Sequence, residues 1–209
     1  SNQNVYLQDS TGRFYAVPSH TLPSARGQGE PASGKLNLPT GATLTGLIMG
    51  EDDKEVFVGT SAGYGFRTTI TDLHTKNKAG KSVVKISPYA QVVQPKLIYD
   101  DNSLIVAVSN EGRMLVFDIS NVPKLAKGKG NKIINIPSAR LKRGEEWVVD
   151  YAIVGQGTSL LVYSGKRYLS LKYGDLEHYV GERGRRGHKL PRGFPVSYTH
   201  LRAHETKRN

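Results

Sequence analysis

The densest chemistry in this 209-residue chain lies in residues 123–137, which read Pro123-Lys124-Leu125-Ala126-Lys127-Gly128-Lys129-Gly130-Asn131-Lys132-Ile133-Ile134-Asn135-Ile136-Pro137 without a single acid. Glycine lets backbone pass close to another surface, and spaced lysines are point charges suited to a row of phosphates. Alone, such a run is an ordinary solvated face. Other candidate chemistry falls away. Gly59-Thr60-Ser61-Ala62-Gly63 matches the nucleophile-elbow string, but that chemistry needs a strand-to-helix turn, and residues 64–70 read as a strand. Gly80-Lys81-Ser82 looks like the end of a phosphate-binding loop, yet the position required for its first glycine holds Thr75. His200 and His204 have metal-ligand spacing but no third ligand. His20, His74, His178 and His188 are scattered, and Asp52 and Asp53 lie in a polar turn, the wrong setting for acid–base work. No catalytic residue, metal site or cofactor is expected.

The cationic loop gains meaning from the elements that carry it. Four β-rich hairpins, at residues 5–17, 56–70, 104–117 and 160–171, turn at Gly12, Gly63, Gly112 and Gly165, which stand 51, 49 and 53 residues apart. That spacing is close to the period of propeller blades. An apolar anchor follows each glycine: Leu22, Leu73 and Val122 at ten residues and Leu176 at eleven. Next comes a Gly/basic loop in every copy, carrying Arg26, then Lys76, Lys78 and Lys81, then Lys124, Lys127, Lys129 and Lys132, then Arg183, Arg185, Arg186 and Lys189. Apolar runs follow at 36–38, 83–86 and 133–136, and acidic turns at 51–53, 100–101 and 145–146 join the copies.

Charge is thus sorted by position in the repeat. In a radial stack of sheets, equivalent positions fall on one rim, so the loops are expected to form a curved positive band. Arg13, Arg67, Arg113 and Arg167, just past the hairpin glycines, either join that band or pair with the acids of the repeat. The repeats run at about 5–52, 54–101, 103–157 and 158–194 within one domain, 1–194. Gly 23 and Pro 10 interrupt the chain too often for long helices. The fold class expected is all-β. Residues 195–209 share nothing with the repeats; they read as a non-native appendage, such as a translated sequencing adapter, and are expected to be disordered or loosely packed.

Composition narrows the partner. Lys+Arg number 29 against 18 Asp+Glu, for a net charge of +11 and a pI near 9.8, which favours a polyanion, nucleic acid before membrane. The absence of cysteine excludes disulfides, thiolate metal sites and zinc fingers, and suits a reducing cytoplasm. No apolar run is long enough to span a bilayer, and the start Ser1-Asn2-Gln3-Asn4 lacks both a signal sequence and an initiating Met, so the chain reads as a piece of a longer cytoplasmic protein. With no helix-turn-helix or RNP-like pattern, sequence-neutral binding to the DNA backbone is the functional expectation.

Four colinear strings sharpen this. Leu22-Pro-Ser-Ala-Arg-Gly-Gln-Gly-Glu-Pro31, Ser61-Ala-Gly-Tyr-Gly-Phe66, Lys127-Gly-Lys-Gly-Asn-Lys-Ile-Ile-Asn-Ile-Pro137 and Gly181-Glu-Arg-Gly-Arg-Arg-Gly187 closely resemble the C-terminal domain of ParC, the DNA-cleaving component of bacterial DNA topoisomerase IV, in order from about Asp9 to Phe194. They favour ParC over its counterpart in gyrase, gyrase A. The resemblance implies a β-pinwheel of about four blades, a propeller-like disc whose four-stranded blades exchange strands and which binds duplex DNA on its outer rim. It also implies a parent that is an ATP-dependent type II topoisomerase, whose cleavage tyrosine and metal site lie in another domain. ATP and Mg²⁺ would belong to that parent, whose N-terminal cleavage domain and ParE-like ATPase component would be partners. The piece itself would bind without cutting, and would steer substrate choice in decatenation and supercoil relaxation. The gyrase-type box Gln-Arg-Arg-Gly-Gly-Lys-Gly is missing, so strong chiral wrapping is not expected. The family's domain begins earlier, so the first blade should be incomplete, with an unpaired edge at residues 5–7. The rival reading is a propeller that docks an acidic protein, such as a chromosome-organising complex.

Overall fold

The computed structural model describes residues 3–21, 36–191 and 199–205. Four antiparallel sheets are each built on one of the expected hairpins: β1 (Asn4–Asp9) with β2 (Arg13–Pro18), β4 (Glu55–Gly59) with β5 (Tyr64–Thr69), β8 (Leu104–Ser109) with β9 (Arg113–Asp118), and β12 (Thr158–Ser164) with β13 (Arg167–Lys172). The outer strands come from two sources. On the first hairpin strand lies a strand from the same repeat: β3 (Leu44–Met49) on β1, β7 (Lys96–Ile98) on β4, β11 (Val148–Val154) on β8. On the second lies a two-residue strand from the next repeat: β6 (Lys81–Ser82) on β2, β10 (Asn131–Lys132) on β5, β14 (His188–Lys189) on β9. The sheets therefore exchange strands with their neighbours.

The hairpin glycines are what admit the exchanged chain. Gly12 and Gly63 have φ of 86° and 88°, a region that suits glycine. Their carbonyls accept hydrogen bonds from the incoming run, Val83 and Val84 N–H on Gly12 at 3.1 and 3.0 Å, Ile133 N–H on Gly63 at 2.7 Å. A Cβ at either glycine would collide with an incoming carbonyl oxygen, that of Val84 or of Ile134. Gly112 takes Leu190 N–H in the same way at 2.8 Å.

The sheets bury both faces of their central strands. Val56, Phe57, Val58, Ile105, Val106 and Val108 are all fully enclosed. Cores lie between successive sheets: Phe57 of β4 meets Tyr151 of β11 edge-on at 4.9 Å, and the Tyr151 hydroxyl donates to the Thr60 carbonyl at 2.8 Å. The anchors Leu73, Val122 and Leu176 are buried in or just after short helical turns, the first in α1 (Ile70–Leu73), capped by the Thr69 hydroxyl accepting from Asp72 N–H. Leu22 lies outside the described residues. Helices are short throughout the described residues, α2 (Ser138–Lys142) being five residues, and none is long and apolar enough to cross a membrane.

Two expectations are corrected. Residues 5–7 are not an open edge: β1 is paired on both sides, and Val5, Tyr6 and Leu7 are buried, so the first sheet has four strands. The three-stranded sheet is at the other end, where, among the described residues, no strand pairs the outer edge of β13. Among the described residues, β2, β5 and β9 each receive an exchanged strand from the following repeat. Within the tail, residues 199–205 depart from the expected disorder: β15 (Thr199–Glu205) pairs antiparallel with β12 along seven residues, and the rest of the tail lies outside the described residues. β15 fills the position that β3, β7 and β11 occupy elsewhere, with Leu201 buried and its N–H bonded to the Asp150 carboxylate at 2.9 Å. A hydrogen-bonding edge accepts any extended chain with an apolar residue on the inward face.

Candidate nucleic-acid interface

The Gly/basic loops are stitched together by backbone. Each of the second, third and fourth loops accepts or donates hydrogen bonds with the apolar run that follows the preceding loop: Asn37 N–H to Lys78 O at 3.0 Å, Gly128 N–H to Val83 O and Lys85 N–H to Gly128 O at 2.9 Å, then Gly184 N–H to Ile133 O at 2.7 Å and Asn135 N–H to Arg185 O at 2.9 Å. Gly128 and Gly184 hold φ of 133° and 84°, backbone conformations that favour glycine, and the flanking bases are left at the surface. Each loop then ends in the outermost strand of the preceding sheet. The register sets Ser82, Lys132 and Lys189 opposite Arg13, Tyr64 and Arg113, so every one of these strands carries a lysine, Lys81 in the first.

The expected site residues divide into two groups. Lys76, Lys78, Lys127, Lys129 and Lys189 are exposed and make no ion pair among the described residues. Lys132 is half-buried and donates to the Asn135 side-chain oxygen at 3.2 Å, and Arg183 is exposed while donating to the Lys132 carbonyl at 3.1 Å. The second group is engaged in the fold. Lys81 Nζ donates to the Asp72 carbonyl at 2.7 Å, Lys124 pairs with Glu55 at 2.8 Å, and Arg185 pairs with Glu182 at 3.1 Å. Arg186 meets the fully buried carboxylate of Glu146 at 2.9 Å and the Asn135 carbonyl at 2.9 Å. Arg26 lies outside the described residues.

The arginines after the hairpin glycines bind chain more than charge. Arg13 donates to the Ala79 and Gly80 carbonyls at 2.9 and 3.0 Å, and Arg113 to the Gly187 carbonyl at 3.4 Å, each clasping the loop delivered by the next repeat. Buried Arg67 clasps the Val122 carbonyl at 2.8 Å and also pairs with Glu55 at 3.2 Å. Burial pushes the Glu55 carboxyl up, but the hydrogen bond from Lys124 and the charge of Arg67 outweigh it and hold the pKa below the usual carboxylate value. Acids are consequently not all remote from the loops: Glu146, from an acidic turn, holds Arg186 and Arg140 together.

Sequence reasoning missed the aromatic component. Lys129 Nζ sits 4.1 Å above the centre of the Tyr64 ring, within cation–π range. The lysine-rich string was visible, but its juxtaposition with Tyr64 depends on the exchange of β10 into the preceding sheet. Among the described residues, no group of three His, Asp or Glu could hold a metal ion. Ser61 does not form an elbow: its hydroxyl accepts from Gln91 N–H at 2.9 Å, and β5 follows it.

Comparison with known proteins places this architecture. The family described as DNA gyrase C-terminal domain, beta-propeller, matches residues 54–98 and 103–153. The chain is 50% identical over 195 residues to the A component of DNA topoisomerase 4 of Pseudomonas aeruginosa, and 47% identical over 194 residues to that of Escherichia coli K12, in both cases over 93% of this chain and 26% of the relative. It spans about a quarter of the length of those relatives. The solved structure of the E. coli ParC C-terminal domain superposes with a TM-score of 0.85 at 44% identity, covering 97% of this chain and 82% of the other. That of the DNA gyrase A C-terminal domain, at 17% identity and a TM-score of 0.71, shares the fold.

Proposed function

Because the chain belongs to the family of ParC and gyrase A C-terminal domains, we propose that it binds duplex DNA through the exposed bases of its successive Gly/basic loops. The observation that supports this reading is the backbone bonding of each described loop to the apolar run after the preceding one, with Lys78, Lys127, Lys129 and Arg183 exposed in successive loops. Phosphates recur along a duplex, and lysines at recurrent stations match them without reading sequence. Lys76, Lys132 and Lys189 extend the contact. Lys81, Lys124, Arg185 and Arg186 hold the loops in shape and contribute charge indirectly, and Arg26 belongs to the first loop.

In this reading the parent is a bacterial, cytoplasmic type II topoisomerase of the topoisomerase IV kind. Its ATP, its Mg²⁺ and its cleavage tyrosine act in other parts of the assembly, the N-terminal cleavage domain and the ParE-like ATPase component. The domain presents DNA segments to that machinery and biases the choice between decatenation and supercoil relaxation. The test is a mobility-shift titration with random-sequence duplex at rising salt. Charge reversal of Lys127, Lys129 and Lys132 should abolish binding at moderate salt; unchanged affinity at low salt would overturn the assignment. Retention of an acidic protein partner with no affinity for duplex would instead support the docking-module reading.

A further inference from the structure

Beside the Lys129–Tyr64 pair lies a cleft of about 770 Å³ whose lining includes Tyr64, Tyr89, Lys129, Lys132 and Lys142. Tyr89 is the one non-glycine residue with positive φ among the described residues, at 65°. It occupies the third position of a turn closed by Ala90 N–H on the Ser87 carbonyl at 3.1 Å, with Pro88 before it. That is the slot of a type II turn, where glycine or asparagine is favoured and a bulky side chain is strained. Burial does not offset the strain, since Tyr89 is 65% exposed. A strained backbone presenting an exposed aromatic ring is a pattern associated with binding sites. Lys142 Nζ stands 6.0 Å from the ring centre, so the cleft has two aromatic–lysine pairs. The buried Ser87 hydroxyl, also lining it, has no hydrogen-bond partner among the described residues.

Lysines and open aromatic faces in one concavity suit an anion that carries a planar ring. A duplex hides its base faces within the stack, whereas an unpaired base offers one, and stacking on tyrosine with lysines on the adjoining phosphates is how single strands are held without sequence preference. We propose that this cleft is a single-stranded DNA subsite, in which Tyr89 stacks on an unpaired base and Lys129, Lys132 and Lys142 take the flanking phosphates. The proposal deepens the DNA-binding reading and shares Lys129 and Lys132 with it, so its test must separate the two.

The probe is a thymidine oligonucleotide of about twelve nucleotides carrying one 2-aminopurine. It is compared with an abasic strand of the same length and with a duplex of that length. The base-bearing strand should bind about tenfold more tightly than the abasic strand, with quenched 2-aminopurine emission. Tyr89→Asn relieves the strained slot, so Tm should rise by about 2–4 °C while base-bearing affinity falls to the abasic level and duplex affinity stays within about twofold. Equal binding of base-bearing and abasic strands, or Tyr89→Asn that leaves the quench intact, would overturn the subsite. Failure of the wild-type chain to bind duplex, with the quench retained, would overturn the duplex reading alone.

Discussion

The carbonyl of Gly63 accepts the N–H of Ile133 at 2.7 Å, joining the turn of one hairpin to the chain that follows the basic loop of the next repeat. The same bond recurs between Gly12 and Val83 and between Gly112 and Leu190, and it explains why glycine marks the period. Gly165 has no neighbour among the described residues within 4 Å of where its Cβ would lie.

Gly63→Ala should therefore destabilise the domain by roughly 3 kcal/mol or more, positive φ adding to a collision with the Ile134 carbonyl. Gly165→Ala, with φ strain alone, should cost about 1–2 kcal/mol. Denaturant titration of both variants decides the matter; equal losses would mean that the strand exchange is not what Gly63 protects.

Glu146 is fully buried and holds Arg186 at 2.9 Å and Arg140 at 3.1 Å, the two arginines coming from different repeats. Glu146→Gln takes from Arg186 its carboxylate partner, while Arg140 keeps Glu111 at 2.9 Å and Glu145 at 3.4 Å; a loss of about 3 kcal/mol, the low end for a broken buried pair, is expected because both arginines are partly solvated. Chemical unfolding of the variant measures it directly, and a change under about 0.5 kcal/mol, the size usual for surface substitutions, would show the network to be incidental.

Tyr15 is buried and donates to the Asp9 carboxylate at 2.6 Å. Burial, reinforced by that hydrogen bond and the Asp9 charge, raises its pKa from the ordinary 10.0 to about 12. A folded pKa above the unfolded one contributes stability that is whole below pH 10 and lost as pH rises through about 12. Wild type should lose stability across that window more steeply than Tyr15→Phe, followed by circular dichroism; superimposable alkaline profiles would refute the coupling.

Removing residues 195–209 takes β15 from β12 and uncovers the core around Leu201. Burial of one leucine is worth about 1.5–3 kcal/mol, so truncation should lower Tm and promote association through the bared edge. Light scattering and a thermal melt test this. An unchanged melt would mean the strand rests on the sheet without stabilising it.

Lys127 and Lys129 should each contribute about one unit to the slope of log affinity against log salt, whereas Lys124, held by Glu55, should contribute far less. Neutral glutamine variants distinguish them in a duplex titration. Equal slopes would show that the Glu55 pair opens on binding.

The four hairpins, their period, the anchors and the loop charges were legible in the residues because they depend on local properties: turn glycines, β-branched runs and spacing. Assigning individual bases was beyond that reading. Lys127 and Lys124 are neighbours in one cationic string, yet Lys124 is turned to Glu55, 69 residues earlier, by the packing of one loop against β4 and β5. The tail shows the same division. Its composition shares nothing with the repeats, but an open strand edge is satisfied by backbone geometry and one inward leucine, so the sheet accepted β15. What the sequence alone determined was the repeat and its sign of charge, both local properties of the chain. Tertiary structure decided which sheet each loop completes, which bases face solvent and where Tyr89 stands, because strand exchange brings together residues whose separation in the chain carries no signal of contact.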